Sequence, residues 1–458
     1  MPDYDAIIIG TGQAGPALAR RLVAAGWKIA IIERKLFGGT CVNTGCTPTK
    51  ALVASAYAAR VARRAADYGV RIEGAVSVDM KAVKARMDAI VAPSRKGVEQ
   101  SLKTLKGCTV YEGQARFVAP KQVTVGEETL EADKIFIDVG GRALVPPIPG
   151  LDRTPYLTNS SMMDVEFLPP HLIVLGGSYV GLEFAQTYRR FGSEVTVIEL
   201  GPRLVAREDE DVSRAIADFL AQEEINIQLN SKVAALEKRG DKIAVTIEGG
   251  DAKSQILGSH VLVAIGRRPN TDDLGLDAAG VAVDKHGFVE TDEELRTNVP
   301  GIWALGDCNG RGAFTHTAWN DYEIVASNIL DNGSRRVSDR IPAYALYTDP
   351  PLGRAGITET EVRKSGRPAL KATMPMKDVS RAFEKGETKG FMKILIDKQT
   401  KLILGASLLG TSGDEVIHCI LDVMYAKAPY TVLEKAMHIH PTVSEFIPTM
   451  LGDLAPLK

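Results

Sequence analysis

Cysteine is scarce in this chain, with five residues in 458. A chain of this length buries large cores without covalent staples, so it does not fit a secreted disulfide scaffold. Neither sign of charge dominates: 55 Lys and Arg stand against 57 Asp and Glu, for a net charge of −2. That removes any global electrostatic case for nucleic acid or an anionic membrane surface as a partner. No run approaches the ~18 consecutive apolar residues of a membrane span. The opening residues Met1 to Asp5 are acidic and lead into a short apolar run, unlike a basic targeting leader. A cytoplasmic location is the expectation. Low-complexity segments are also missing, and 45% apolar with 24% charged residues is the balance of an ordinary globular protein. At roughly 150 residues per domain the length suggests about three domains.

What is there begins with a repeat. Residues 6–33 read AIIIGTGQAGPALARRLVAAGWKIAIIE, and residues 172–199 read LIVLGGSYVGLEFAQTYRRFGSEVTVIE. Each has a short apolar run suited to a buried parallel strand, a glycine cluster, a helical stretch and a second apolar run ending in Glu. Gly10 to Glu33 and Gly176 to Glu199 are both 23 residues, and the copies are offset by 166. Each unit reads as a strand–helix–strand dinucleotide site. Gly10, Gly12 and Gly15 supply the tight turn, the close approach to a pyrophosphate and the close helix packing. Gly176, Ser178 and Gly181 do so in the second copy, where serine replaces the middle glycine and its hydroxyl can bond a phosphate. Glu33 and Glu199 are placed to accept from a ribose hydroxyl. One glycine run is weak evidence; two copies with matching offsets point to two dinucleotides. The competing reading is a duplicated fold that has lost its ligands.

Directly after the first unit, residues 38–50 read GGTCVNTGCTPTK, which places Cys41 and Cys46 five apart. Two buried thiols, half of a zinc site, or a redox pair would each use such a spacing. Zinc needs two further Cys or His ligands at short spacing, and Cys108, Cys308 and Cys419 are isolated. A close pair beside a nucleotide site in a reducing compartment fits redox chemistry better. A helix beginning near Cys46, with Lys50 close by, would favour a thiolate.

These residues resemble the redox motif of the class I pyridine nucleotide-disulfide oxidoreductases, the family of dihydrolipoamide dehydrogenase, glutathione reductase and mercuric reductase. Further strings resemble that family in the same order: TNVPGIWALGD at residues 297–307, GRRPN at 266–270 and HIHPTVSE at 438–445. The resemblance implies an α/β fold with two Rossmann-like dinucleotide-binding domains and an α+β C-terminal dimerisation domain. The FAD domain would span 1–148 and 271–336, the NAD(P) domain 149–270 and the interface domain 337–458. It implies that Cys46 lies against the flavin and that Cys41 attacks substrate. Lys50 and Glu183 would form an ion pair at the flavin edge, and Tyr179 would gate the nicotinamide pocket. Gly39, Thr40 and Asp307 would line the FAD site, and Gly266 would close the nicotinamide domain. His440, oriented by Glu445, would be the acid–base group, supplied by the partner subunit of a homodimer with composite active sites; His438 is the alternative base. A carboxylate on one imidazole nitrogen fixes the tautomer and raises basicity, leaving the other nitrogen to exchange protons with a thiol. The His440–Pro441 bond is a candidate cis peptide.

Glu199 should repel a 2′-phosphate, which favours NAD(H) over NADP(H). Arg203 and Arg207 could clamp that phosphate, or form a solvated basic edge. For substrate, the histidine string sits nearest dihydrolipoamide dehydrogenase, so a small disulfide or dithiol is expected. The closing residues 450–458 carry no cysteine pair, and no metal-binding domain precedes the first unit, which disfavours Hg(II). Yet Asp138-Val139-Gly140 departs from that family's usual strand end. With Thr44, Thr47 and the string YTDPPLG at residues 347–353, it looks like the mercuric-reductase-like branch, which reduces metal ions, quinones or reactive oxidants. An electron-transfer subunit docked to a larger complex is a third reading.

Overall fold

The structure, a computed structural model, describes residues 3–249 and 252–457. Its first sheet grows from β1 (Asp3–Ile9). A glycine turn leads to α1 (Gly15–Ala24) and then β2 (Ile29–Glu33). Two helices follow at once, the single turn α2 (Gly39–Asn43) and α3 (Cys46–Arg63). After α4 (Met80–Lys103) come β3 (Cys108–Glu112), β4 (Ala115–Ala119), β5 (Gln122–Val125) and β6 (Glu128–Ile137). The strand order is β3-β2-β1-β6-β5-β4, and β1, β2, β3 and β6 run parallel. The period of two along β1 explains its continuous apolar run. Ala6 and Ile8 pack beneath Leu18 and Leu22 of α1, while Ile7 and Ile9 face Phe117 and Val123 on the other side.

The chain leaves this sheet through β7 (Gly141–Ala143) and builds the second unit from β8 (His171–Leu175), α5 (Tyr179–Phe191) and β9 (Glu194–Ile198). Helix α6 (Glu210–Gln222) and β10 (Asn226–Gln228) follow. Next come the antiparallel strands β11 (Lys232–Arg239), β12 (Lys242–Gly249) and β13 (Ala252–Gly258), then β14 (His260–Val263). The parallel order is β10-β9-β8-β14, and the three antiparallel strands cover one face of this sheet. β15 (Arg267–Pro269) pairs antiparallel with β7, so the outgoing and returning chain form one ribbon. β16 (Ile302–Ala304) then joins the first sheet beside β6, and α7 (Thr315–Leu330) packs against α1. The remaining residues form a six-stranded antiparallel sheet backed by the helix Gly413–Tyr425. The molecule is therefore mixed α/β, with two dinucleotide-type units and a separate α+β layer.

Candidate active site

The two glycine turns are built alike. Gly10 and Gly176 hold φ of 110° and 108°, a region that L side chains rarely enter. A Cβ on either would lie 2.2 Å from the Asp138 carbonyl oxygen or 2.5 Å from that of Ala264. Gly15 and Gly181 each approach the carbonyl of the first glycine of their turn, at 2.4 and 2.2 Å from a virtual Cβ. Glu33 Oε2 accepts from the Thr11 backbone N–H at 3.1 Å and from its hydroxyl at 2.5 Å. Glu199 Oε2 accepts from the Gly177 N–H and Oε1 from the Gly201 N–H, both at 2.7 Å. Each strand-end carboxylate is thus locked beside its own glycine turn. Ser178 is the residue before α5, and its hydroxyl makes no capping bond.

The first turn fits a dinucleotide. The backbone N–H groups of Gly12, Gln13 and Ala14 take no partner among the described residues, which leaves a helix N-terminus open to an anion. Gly39, at φ 60°, would place a Cβ 2.9 Å from Gly12 Cα, so the approach is kept clear by two glycines facing each other. Thr40 lies in α2, with its hydroxyl 3.5 Å from the Gly141 carbonyl. Asp307 is paired with Arg267 at 3.1 Å, at the end of the ribbon that joins the two units. Gly266 holds φ 144° at the start of that ribbon.

Cys41 falls in α2 and Cys46 opens α3, and both are free thiols. The Cys46 thiol is pulled down to about 6. The hydrogen bond from Cys41 is the chief cause; burial opposes it, and Thr315 and the Lys50 charge add to the fall. The Cys41 thiol is driven up by donating that bond, by burial and by the Cys46 charge. Both shifts favour the thiolate on Cys46 over one on Cys41, as a helix N-terminus does. Lys50 Nζ sits 2.7 Å from Glu183 Oε2, so α3 and α5 meet in an ion pair whose carboxylate is buried.

Tyr179 begins α5 and donates its hydroxyl to Glu208 at 3.1 Å. Its ring stands edge-on to Phe314 and Tyr344, which stack on each other at 5.5 Å. Tyr179, the residue expected to gate the nicotinamide pocket, is thus held by a hydrogen bond as well as by ring contacts.

His440 Nδ1 lies 3.0 Å from Glu445 Oε2, and the His440–Pro441 bond is cis. His438 is held by the Ala436 carbonyl at 3.1 Å instead. Neither histidine reaches Cys41 or Cys46 within the chain. The His440 side chain is 76% exposed, and its neighbours Met437 and Ile439 are 100% and 79% exposed.

Three contributors were not legible beforehand. Thr315 Oγ1 lies 3.2 Å from Cys46 Sγ. Tyr347 donates its N–H to Glu183 Oε1 at 3.0 Å and holds Lys50 Nζ 4.5 Å from its ring centre. Glu208 receives both Tyr179 and Tyr344. Tyr347 belongs to the YTDPPLG string, where a signal was visible without a role.

Comparison with known proteins agrees with this construction. Residues 4–321 match the pyridine nucleotide-disulphide oxidoreductase family, and residues 342–451 match its dimerisation domain. The chain is 36% identical to the probable pyridine nucleotide-disulfide oxidoreductase RclA of Escherichia coli, over 97% of this chain and 98% of that protein. It is 32% identical to a mercuric reductase of Streptomyces lividans (99% and 98% covered) and 31% identical to a dihydrolipoyl dehydrogenase of Chlamydia muridarum (96% and 95%). The solved structure of the HOCl-induced flavoprotein disulfide reductase RclA from Escherichia coli superposes with a TM-score of 0.90 at 34% identity, covering 98% of this chain and 100% of that one.

Proposed function

The chain belongs to the pyridine nucleotide-disulphide oxidoreductase family, and from that premise we propose that it reduces a small disulfide with electrons taken from NADH in preference to NADPH. The observation that carries this reading is the placement of Cys41 in α2 and Cys46 at the start of α3, with Thr315 Oγ1 3.2 Å from Cys46 Sγ and the Lys50–Glu183 ion pair one helical turn along. A bound FAD, held by the Gly10–Gly12–Gly15 turn, Glu33, Gly39, Thr40 and Asp307, supplies the two-electron relay between nicotinamide and cysteine pair.

The chain's own residues handle the thiols and protons. Two electrons and one proton open a Cys41–Cys46 disulfide to the Cys41 thiol and the Cys46 thiolate. Cys41 gives its proton to His440, attacks one sulfur of the substrate disulfide and forms a mixed disulfide. The expelled thiolate leaves as a thiol by taking a proton from His440. The Cys46 thiolate then attacks Cys41 Sγ and re-forms the disulfide, and the second thiolate that it expels takes a proton from solvent. Lys50, steadied by Glu183 and Tyr347, keeps positive charge near Cys46 throughout.

His440 and Glu445 are poised for proton exchange, and neither is hydrogen-bonded to a thiol of its own subunit among the described residues. The exposure of His440 beside Met437 and Ile439 supports a homodimer in which His440 of the partner subunit completes each site. The locked Glu199 carboxylate supports NADH, since it would accept a 2′-hydroxyl and repel a 2′-phosphate.

The test is anaerobic turnover with NADH or NADPH against lipoamide, glutathione disulfide, other small disulfides, Hg(II), Cu(II) and quinones. Turnover of a disulfide that is lost in Cys41→Ser and His440→Ala is the expected result. Turnover of metal ions or quinones alone, retained in His440→Ala, overturns the disulfide assignment.

A further inference from the structure

Beneath the first glycine turn lies a carboxyl that none of the chemistry above uses. Asp138 directly follows the strand β6 and is 5% exposed. Its Oδ2 accepts the Gly15 backbone N–H at 2.8 Å, and its Oδ1 takes no partner among the described residues. Glycines ring it. A Cβ on Gly12 would lie 3.0 Å from Oδ2 and 3.3 Å from Oδ1; one on Gly15 would lie 3.1 Å from Oδ2; one on Gly306 would lie 3.2 Å from Oδ1. A side chain at Gly12 or Gly306 would cover the free oxygen, and both positions leave it bare.

The internal repeat supplies the contrast. The carbonyl crowding Gly10 belongs to Asp138, and the one crowding Gly176 belongs to Ala264. The same position therefore carries a carboxyl in the first unit and a methyl in the second, where no side chain among the described residues receives the Gly181 N–H. The carboxyl is an addition to the flavin side, and the fold does not require it.

Its surroundings are wrong for an anion. The charged groups facing it are Glu33 from the end of β2, Asp307 from the turn after β16 and Asp321 from α7, with the Cys308 thiol alongside. The nearby cations are spent, Arg267 on Asp307 and Arg340 on Asp321, and among the described residues none pairs with Asp138. Burial pushes its carboxyl well above the usual range; the Gly15 N–H pulls the other way and is outweighed, and Asp307, Asp321 and Glu33 add to the rise. A further anion, the dinucleotide pyrophosphate at residues 12–14, would only deepen that preference.

We propose that Asp138 is a neutral carboxylic acid that accepts the Gly15 N–H through Oδ2 and donates its Oδ1 proton to the pyrophosphate of FAD. An acid in this place adds a donor to the anion site without adding charge. The inference rests on FAD occupying the first unit, which the flavin absorbance of purified wild type reports independently. Asn is the isostere of the neutral acid, with one acceptor and one donor in the same positions. Ala is what the second unit tolerates, so Asp138→Ala should fold.

Two readouts on the full-length enzyme decide it. The first is the infrared difference between holoenzyme and Asp138→Asn at about pH 7.5, far above the ordinary aspartate value of about 3.9. A carbonyl stretch of a protonated carboxylic acid is expected in wild type. The second is the FAD dissociation constant. Asp138→Ala should weaken binding at least about tenfold, while Asp138→Asn stays within about threefold of wild type. Absence of the protonated-acid band, or an Asp138→Ala enzyme that binds FAD as tightly as wild type, overturns the proposal. So does much tighter binding by Asp138→Asn, which would mean an ionised carboxylate in wild type.

Discussion

Cys46 takes its character from three neighbours at different places in the chain. Cys41 donates to it, Thr315 lies 3.2 Å from its sulfur, and Lys50 adds charge one helical turn along. In the fully reduced enzyme, ultraviolet absorbance should show one thiolate forming with an apparent value of about 6. Because the value is lowered, the thiolate persists above it and is lost as pH falls through it, and disulfide turnover should decline over the same interval. Cys41→Ala and Thr315→Val should each move the titration upward; an unmoved titration in both would remove the assigned cause. Glu199→Ala should lower kcat/KM for NADH about tenfold or more, as for a lost hydrogen bond to a charged group, and narrow the gap to NADPH. Equal cofactor kinetics before and after would remove the ribose role. The cysteines and Glu199 were legible because spacing marks them. Thr315 was not: its link to Cys46 spans 269 residues and exists only once α7 is docked.

The glycine turns decide how closely the elements approach. Gly39 begins α2 and faces Gly12 from the first turn, with both positions needed bare. Gly39→Ala would force a Cβ to 2.9 Å from backbone at φ 60°, a strain of order 1–3 kcal/mol. FAD content, read as the ratio of flavin to protein absorbance, should fall in that variant; full occupancy would show that the loops are less tightly apposed. At this scale the repeat made both strand–helix–strand units readable from glycine offsets alone. The helix onset near Cys46 was readable too, from the run that begins TPTK directly after it. The β11–β13 layer was not anticipated, since alternating strands of mixed polarity carry no glycine signature.

Across the whole molecule, a buried charge cluster fastens the second unit to the C-terminal layer. Lys393, 1% exposed, lies 2.9 Å from Asp209 and 2.8 Å from Asp211; Arg354, equally buried, reaches Asp209 at 3.4 Å and also bonds Ser407. Asp209 additionally accepts the Glu359 and Thr360 N–H groups at the start of a helix in the C-terminal layer. Burial alone would raise the Asp209 carboxyl, but Lys393 and then Arg354 overrule it and hold it at about 2. A depressed carboxyl stabilises the fold above its unfolded value of about 3.9. That stability is lost as pH falls through the folded value, so urea melts should weaken from pH 4 toward 2. Lys393→Met should cost about 3–5 kcal/mol at neutral pH by stranding Asp209, and should flatten that acid dependence. The sequence hid this cluster, since charges 184 residues apart read as surface until the fold buries them.

The composite-site reading belongs to the same scale. Cys41→Ser and His440→Ala subunits, each inactive alone, should regain activity when mixed, because one site of the heterodimer is then intact. No recovery after verified subunit exchange would place His440 outside the partner's site.

The most direct test of the thiol pair is alkylation mapping by mass spectrometry, before and after one equivalent of NADH or NADPH without oxygen. Cys41 and Cys46 should be protected as one disulfide in the resting enzyme and should both become alkylated on reduction, with Cys108, Cys308 and Cys419 unchanged. Alkylation of Cys41 and Cys46 that is the same with and without reduced nicotinamide would contradict the account.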